Sequence, residues 1–269
     1  AIESFNKALN INPYHSIARF NMGNALNENG ELDAALESYK KAIKIKPDYA
    51  EAYFNMGIVL ENKGELDAAM ESYEQAIKIK PDYAEAHNNM GNARKDTGDL
   101  DTAIDNYKQV LKIKPDYEAA CNNIGIILTD KGEFDAAIDS YKQAIKIKPD
   151  YAEAFNNMGN ALENKGELDA AMESYKQAIK IKPDYAEAYS NMGNALKDKG
   201  ELDAARDSYK QAIKIEPEYA EAHQSLGLAF LNAGRLKEGL DEYEWRWKTA
   251  KRLSKKRHFS QPLWDGEKS

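Results

Sequence analysis

Apolar residues return at helical spacing along the chain, and each such stretch ends at a glycine or a proline. Residues 84–113 show the pattern twice, with apolar positions Ala86, Met90, Ala93, Leu100, Ala103, Ile104, Tyr107, Val110 and Leu111. Gly98 lies between the two groups, and Pro115 follows the second. Because apolar residues three and four positions apart share a helix face, and because glycine and proline end helices, this pattern predicts two amphipathic helices. Asp82 and Glu85 have the spacing of a capping box and predict the start of the first helix.

Prolines give the chain a fixed period. Seven of them follow one another at intervals of 34 residues, namely Pro13, Pro47, Pro81, Pro115, Pro149, Pro183 and Pro217. A constant period of this size predicts a stacked array of helical hairpins. The predicted repeats are residues 16–49, 50–83, 84–117, 118–151, 152–185, 186–219 and an atypical capping repeat at 220–253. Residues 1–15 match only the second helix of a further repeat. Helices this short need their neighbours for stability.

One repeat carries a recognisable set of residues. These are Tyr53, Met56, Gly57, Ala69, Tyr73, Ala76 and Pro81. The set resembles the tetratricopeptide repeat (TPR). The resemblance implies an all-α, right-handed superhelix (α-solenoid) of antiparallel helix pairs, in which the first helix of each pair lines the concave face. Gly57 and Ala69 are then expected to let the two helices approach closely, while Tyr73 fills the gap beside them.

Asparagines recur at two positions of the predicted first helices. We call them the Asn row: Asn21, Asn24, Asn55, Asn89, Asn92, Asn123, Asn157, Asn160, Asn191 and Asn194. Positions three residues apart share a helix face. A carboxamide both donates and accepts hydrogen bonds, so the row could pair with the backbone of an extended peptide. The Asn row resembles the asparagine ladder in the TPR region of O-linked N-acetylglucosamine transferases. Two alternatives remain open, since these residues could bond neighbouring helices or form a polar surface copied by duplication.

Charge limits the partners that the array could bind. The chain has 37 Lys and Arg against 45 Asp and Glu. Residues 235–269 carry 10 basic and 6 acidic residues, which leaves 27 minus 39, or −12, for residues 1–234. We therefore expect no nucleic acid as partner. A membrane partner is not expected either, since no run of about 18 apolar residues occurs. Glutamates at the second position of most repeats, such as Glu51 and Glu85, disfavour acidic tails and favour a neutral or basic polypeptide.

Catalytic and metal-binding patterns are not evident. The four histidines are scattered, and no phosphate-binding glycine loop occurs, so we expect no metal, no cofactor and no catalytic residue. His87 and His223 occupy a bulky position in their repeats and are expected to contribute to packing. Cys121 is expected to be a buried small hydrophobe. A single cysteine suits a reducing compartment, and the expected location is cytoplasmic.

The C-terminal residues resemble a known domain junction. Residues 243–247 (YEWRW), followed by 257–259 (RHF) and 261–266 (QPLWDG), resemble the region that joins TPR arrays to glycosyltransferase-like domains in bacterial proteins. The resemblance implies that residues 254–269 form a linker toward such a domain, and that these 269 residues are the repeat portion of a longer protein.

Two further hypotheses compete with peptide binding. Ile2, Phe5 and Leu9 would lack a covering first helix, so an exposed apolar patch could drive stacking of one copy on another. The other alternative is an enzyme that acts by itself, which the missing catalytic patterns disfavour.

Overall fold

The computed structural model describes residues 1–248, and this part of the chain is entirely helical. Its fifteen α-helices are α1 (Ile2–Ile11), α2 (Ser16–Glu28), α3 (Leu32–Ile45), α4 (Ala50–Asn62), α5 (Leu66–Ile79), α6 (Ala84–Asp96), α7 (Leu100–Ile113), α8 (Glu118–Asp130), α9 (Phe134–Ile147), α10 (Ala152–Lys165), α11 (Leu168–Ile181), α12 (Ala186–Asp198), α13 (Leu202–Ile215), α14 (Ala220–Asn232) and α15 (Leu236–Tyr243). A 3-10 helix, Glu244–Trp247, follows α15. The predicted all-α array of helix pairs is confirmed. Among the described helices, none is long and apolar enough to cross a membrane.

Contacts divide the chain into two compact parts. The N-terminal block, residues 1–148, contains α1 to α9, and the C-terminal block, described over residues 149–248, contains α10 to α15. Within each block every first helix packs most closely against the second helix of its own pair, and the second helix then packs against the next pair. This order of contacts is that of a solenoid, in which each repeat is stabilised by its neighbours.

A glycine and a tyrosine fix the distance between the two helices of a pair. A Cβ atom added to Gly57 of α4 would lie 2.5 Å from Cε1 of Tyr73 of α5. The Tyr73 side chain is fully buried, as are Ala69 and Ala76 on the same helix. The predicted roles of Gly57, Ala69 and Tyr73 are therefore confirmed, since any side chain at Gly57 would displace the ring.

The helix ends differ in part from the sequence prediction. Gly98 has φ +83°, a left-handed conformation that suits glycine, and it follows the end of α6 as predicted. The predicted capping box at Asp82 is wrong. Helix α6 begins at Ala84 with Tyr83 at its N-cap, and no side chain caps it. Asp82 lies one residue too early, in the turn, to reach the first amide groups. A side-chain cap occurs in α2, where His15 accepts from the amide of Ala18 at 3.2 Å.

The last described repeat ends in a different way from the others. Its second helix α15 stops at Tyr243, and both Trp245 and Trp247 lie in the 3-10 helix that follows. The ring of Trp245 stacks on His223 with centroids 4.0 Å apart and an angle of 5° between the planes. Residues 249–269, with the predicted linker 254–269 and most of the proposed junction, lie outside the described residues.

The predicted self-association residues are only partly at the surface. Leu9 is 5% exposed, and Ile2 packs against the core of the following repeats, while Phe5 is half-buried. The expectation that Leu9 is exposed is therefore wrong, because α1 packs on α2. The exposed apolar side chains at this end are instead Ile11 and Ile17, which are 87% and 55% exposed.

Candidate peptide-binding surface

In four of the helix pairs, the hydroxyl of the buried tyrosine bonds an asparagine of the first helix. In the N-terminal block, the Tyr39 hydroxyl donates to Asn24 Oδ1 at 2.8 Å and the Tyr107 hydroxyl to Asn92 Oδ1 at 2.7 Å. In the C-terminal block, Tyr175 donates to Asn160 Oδ1 and Tyr209 to Asn194 Oδ1, at 2.8 and 2.9 Å. Because the glycine contact fixes the tyrosine ring, these four asparagines are held at fixed places on their helices.

Two of the anchored asparagines accept a further hydrogen bond from an asparagine of the next repeat. Asn55 Nδ2 donates to Asn24 Oδ1 at 2.8 Å, and Asn123 Nδ2 donates to Asn92 Oδ1 at 3.3 Å. The oxygens of Asn24 and Asn92 thus accept two hydrogen bonds each. All ten members of the Asn row are half-buried, so each of these residues still has surface that reaches solvent.

The C-terminal block uses a different partner for the equivalent contact. Asn191 Nδ2 donates to Oδ1 of Asn156 at 3.1 Å, whereas Asn55 and Asn123 donate to the tyrosine-anchored asparagine of the preceding repeat. Asn156 is fully buried, and its own Nδ2 donates to Glu187 Oε1 at 3.1 Å. The sequence did not predict a role for Asn156. The feature of the sequence that could have indicated this role is the adjacent pair Asn156 and Asn157, of which only Asn157 belongs to the Asn row.

Where isoleucine replaces the anchored asparagine, the tyrosine finds another partner. Beside Ile58, the Tyr73 hydroxyl donates to Glu61 Oε2 at 2.6 Å and accepts from Asn89 Nδ2 at 3.5 Å. Beside Ile126, the Tyr141 hydroxyl lies 3.2 Å from Thr129 Oγ1. The remaining members, Asn21 and Asn157, lie half-buried on α2 and α10.

The anchoring tyrosines are neutral, and their surroundings favour this state. The pKa of Tyr39 is raised to about 12, mainly by burial and also by the nearby Glu28 carboxylate, while the hydrogen bond with Asn55 acts in the opposite direction. Burial also raises the pKa of Tyr141 to about 12, with a further contribution from Asp130. The tyrosine hydroxyls therefore remain hydrogen-bond donors at physiological pH.

The second-position glutamates are largely used inside the array. Glu85 pairs with Lys114 and Glu153 with Lys182, each lysine lying at the end of the second helix of a pair. Glu187 accepts a hydrogen bond from Asn156. Lys114 lowers the pKa of the Glu85 carboxyl through a hydrogen bond. Glu85 and Glu153 are therefore less able to select a partner by charge, because lysines already balance them.

The groups that could support catalysis or metal binding are used for packing. Cys121 is 2% exposed, and burial raises the pKa of its thiol, which disfavours the reactive thiolate. His87 Nε2 donates to the carbonyl oxygen of Pro81 at 3.0 Å, and His223 Nε2 donates to that of Pro217 at 2.9 Å. Within residues 1–248 no group of three His, Cys, Asp or Glu side chains could hold a metal ion.

Stacked hairpins of 34 residues define a helical repeat protein, and comparisons identify the family. Profiles of the tetratricopeptide repeat match residues 4–37, 23–64, 62–98, 84–117, 125–166, 159–200 and 193–234. The chain belongs to the tetratricopeptide repeat family. None of the curated proteins matches it.

Solved structures with the same fold include several TPR proteins. YrrB, described as "a TPR protein with an unusual peptide-binding site", is 26% identical, with a TM-score of 0.60 over 70% of this chain and 97% of YrrB. MamA is 30% identical, with a TM-score of 0.53 over 62% of this chain and 98% of MamA. A TPR protein from Parabacteroides merdae is 16% identical, with a TM-score of 0.74 over 89% and 96% of the two chains. This last likeness concerns the fold alone.

Proposed function

We propose that the protein is a non-catalytic scaffold that binds an extended polypeptide along the Asn row. One observation carries the proposal. In the pairs Asn24–Asn55 and Asn92–Asn123, the oxygen of the first residue is already bonded, while its own Nδ2 and the Oδ1 of the second residue have no partner among the described residues. Each pair therefore offers one donor and one acceptor together, which matches the C=O and N–H of a peptide backbone.

The comparison with YrrB supports this proposal, because its described peptide-binding site belongs to a TPR protein of similar fold. A scaffold role also agrees with the geometry of the row. The tyrosines and glycines hold the asparagines rigidly, so little conformational entropy is lost when a peptide binds. Backbone recognition would place few demands on the side chains of the partner.

The competing interpretation is that the Asn row only joins neighbouring helices. The bonds from Asn55 to Asn24 and from Asn123 to Asn92 already serve that purpose, so a test must separate stability from binding. Replacing Asn55 and Asn123 by Asp keeps the acceptor oxygen and removes the donor to the neighbour. Replacing them by Ala removes both. Exposed Asn62, at the end of α4, provides the control substitution Asn62→Ala.

Fluorescence anisotropy with a labelled, amidated decapeptide of alternating Thr and Gln tests the proposal. We expect the Asn55→Ala/Asn123→Ala variant to bind at least about tenfold more weakly than the wild-type chain, since two backbone contacts of roughly 1 kcal/mol each are lost. The Asp variant should retain more of the binding than the Ala variant. The Asn62→Ala variant should bind normally. Equal binding by all variants, with unchanged melting by circular dichroism, would show that the row is not the binding site.

Self-assembly is the second candidate function. It is favoured by the exposed apolar side chains of Ile11, Tyr14 and Ile17, which are 87%, 80% and 55% exposed. Burying these side chains against another copy would release apolar surface from water. Light scattering distinguishes the two functions. A mass that grows with concentration, and that returns to the monomer value in an Ile11→Ser/Ile17→Ser variant, would support assembly.

The wider context of the chain is also a proposal. The resemblance of residues 243–247 and 257–266 to the junction found before glycosyltransferase-like domains favours such a domain after residue 269, where the scaffold would present polypeptides to it. The buried, unpaired thiol of Cys121 favours a cytoplasmic location. Reading the complete gene tests the first proposal, and a stop codon directly after Ser269 would remove it.

A further inference from the structure

Each repeat of the N-terminal block has one carboxylate near its buried tyrosine. These carboxylates lie on the same helices as the Asn row. We call Glu28, Glu61, Asp96 and Asp130 the acidic row. Glu61 accepts the hydrogen bond of Tyr73, and the charges of the other three raise the pKa values of Tyr39, Tyr107 and Tyr141, in each case after burial as the larger cause. The acidic row therefore lies near the tyrosine hydroxyls, and Glu28 lines one pocket together with Tyr39, Asn24 and Asn55.

The carboxylates of the acidic row have no ion-pair partner among the described residues. They differ in this from the second-position glutamates, such as Glu85, which pairs with Lys114. Glu28, Asp96 and Asp130 are exposed, and Glu61 is half-buried. At the twelfth and thirteenth positions of the four repeats, Lys95 is the single basic residue, so these positions carry four negative charges and one positive charge. These positions are also at the C-terminal ends of their helices, where the helix dipole favours cations.

The acidic row adjoins open space and a buried acceptor. A pocket of about 210 Å³ is lined by Glu28, Asn24, Asn27, Tyr39, Asn55 and Ile58. In the third repeat, Asn88 is 9% exposed, its Nδ2 donates to Asn89 of the Asn row at 3.4 Å, and its Oδ1 has no partner. The equivalent Asn156 has both groups satisfied, by Asn191 and by Glu187. Asn123, the counterpart of Asn191, donates to Asn92 instead, so the Asn88 Oδ1 is left without a donor.

From this arrangement we propose that the N-terminal block binds a basic extended polypeptide, whose Lys and Arg side chains are selected by the acidic row. The inference rests on the proposed function, since the Asn row would hold the backbone of the same segment. Neighbouring packed helices lie about 8–10 Å apart, and an extended chain advances about 3.3 Å per residue. Each repeat thus corresponds to roughly three residues of ligand, and the four carboxylates to about nine or ten.

Three labelled, amidated decapeptides test the proposal, in which Thr alternates with Lys, with Gln or with Glu. Anisotropy titrations at about 50 mM NaCl should show the Lys peptide binding about tenfold more tightly than the Gln peptide, and the Glu peptide most weakly. At about 500 mM NaCl the Lys and Gln peptides should bind alike, because salt screens exposed charges.

Two quadruple variants separate the acidic row from the general negative charge of the protein. The row variant is Glu28→Gln/Glu61→Gln/Asp96→Asn/Asp130→Asn. The control variant, Asp67→Asn/Glu71→Gln/Glu74→Gln/Asp116→Asn, removes the same charge from exposed residues outside the row. The row variant should lose the preference for Lys and keep its affinity for the Gln peptide, and the control variant should keep the preference. A triple variant that retains Glu61 gives the same comparison if loss of the bond to Tyr73 lowers the melting temperature.

The outcomes are distinct. Equal binding of the Lys and Gln peptides to the wild-type chain overturns the acidic-row proposal and leaves the proposed function standing. Equal loss of preference in the row and control variants also overturns it, because the overall field would then be the cause. If none of the three peptides binds, the proposed function itself fails.

Discussion

Glu163 provides a test of the hydrogen-bond network that positions the Asn row. In the C-terminal block, the oxygen of the Tyr175 hydroxyl lies 2.8 Å from Asn160 Oδ1 and 2.7 Å from Glu163 Oε2. A hydroxyl has one hydrogen, so it can donate to only one of these two oxygens. If Glu163 carries a proton, it donates to Tyr175, and both contacts become hydrogen bonds. Burial raises the pKa of the Glu163 carboxyl and the nearby Asp198 raises it further, while the bond from Tyr175 opposes them.

The substitution Glu163→Gln supplies the missing hydrogen permanently. The amide of Gln can donate to the Tyr175 oxygen, which leaves the tyrosine hydrogen for Asn160. Completing one half-buried hydrogen bond is worth roughly 0.5–1.5 kcal/mol, and we expect the free energy of unfolding at pH 7 to rise by about 1 kcal/mol. Urea denaturation followed by circular dichroism at 222 nm measures this change.

The dependence on pH has a definite sign. Because the folded pKa of Glu163 lies above the unfolded one, the folded state holds the proton more tightly. The wild-type chain should therefore gain stability as the pH falls from 7 through the folded pKa, and this gain should level off below the unfolded pKa, about 4.3. The Glu163→Gln variant should lack this contribution, so its advantage over wild type should shrink as the pH falls.

Glu61 provides the matched control. In that repeat the Tyr73 hydroxyl donates to Glu61 and accepts from Asn89, so an ionised carboxylate already completes the network. The Glu61→Gln variant should gain no stability and should lose some, because a charge-assisted bond becomes a neutral one. If Glu163→Gln and Glu61→Gln change stability by the same amount, or if the Glu163→Gln advantage does not vary with pH, the account of the Tyr175 network is wrong.

Three further predictions concern the fold. Gly57→Ala should lower the free energy of unfolding by about 1–3 kcal/mol in urea denaturation, since its Cβ would lie 2.5 Å from Tyr73; an unchanged midpoint would contradict this. Gly64→Ala should cost about 1 kcal/mol for a different reason, because Gly64 has φ +78° with no atom within 4 Å of the added Cβ; it should leave the near-ultraviolet signal of the tyrosines unchanged. Trp245→Ala should reduce the hydrogen-exchange protection of α14, because the stacked ring on His223 is lost; equal protection in both proteins would show that the stack does not stabilise this end.

The helices could be predicted from the sequence because their signals are local. Apolar residues at helical spacing between Gly98 and Pro115 gave α7, observed as Leu100–Ile113. The cap at Asp82 failed because a difference of one residue in the position of the turn decides whether a side chain can reach the first amides. The 3-10 ending at Trp245 could not be predicted, since it depends on contacts with the preceding helix.

The surface was only partly predictable for a related reason. The sequence placed the Asn row on the first helices but could not choose between partners. Asn55 and Asn123 bond the tyrosine-anchored asparagine of the preceding repeat, whereas Asn191 bonds Asn156. The acidic row was missed because its residues change both type and position, as between Glu28 and Glu61, and only the shared proximity to a tyrosine unites them.

The central claim is that the paired carboxamides of the Asn row contact a peptide backbone. The most direct measurement follows the side-chain amide resonances of the ¹⁵N-labelled chain during titration with the Thr-Gln decapeptide. We expect saturable shifts for Asn24, Asn55, Asn92 and Asn123, with the exposed Asn62 unchanged. Binding of the peptide without shifts at these four side chains would contradict it.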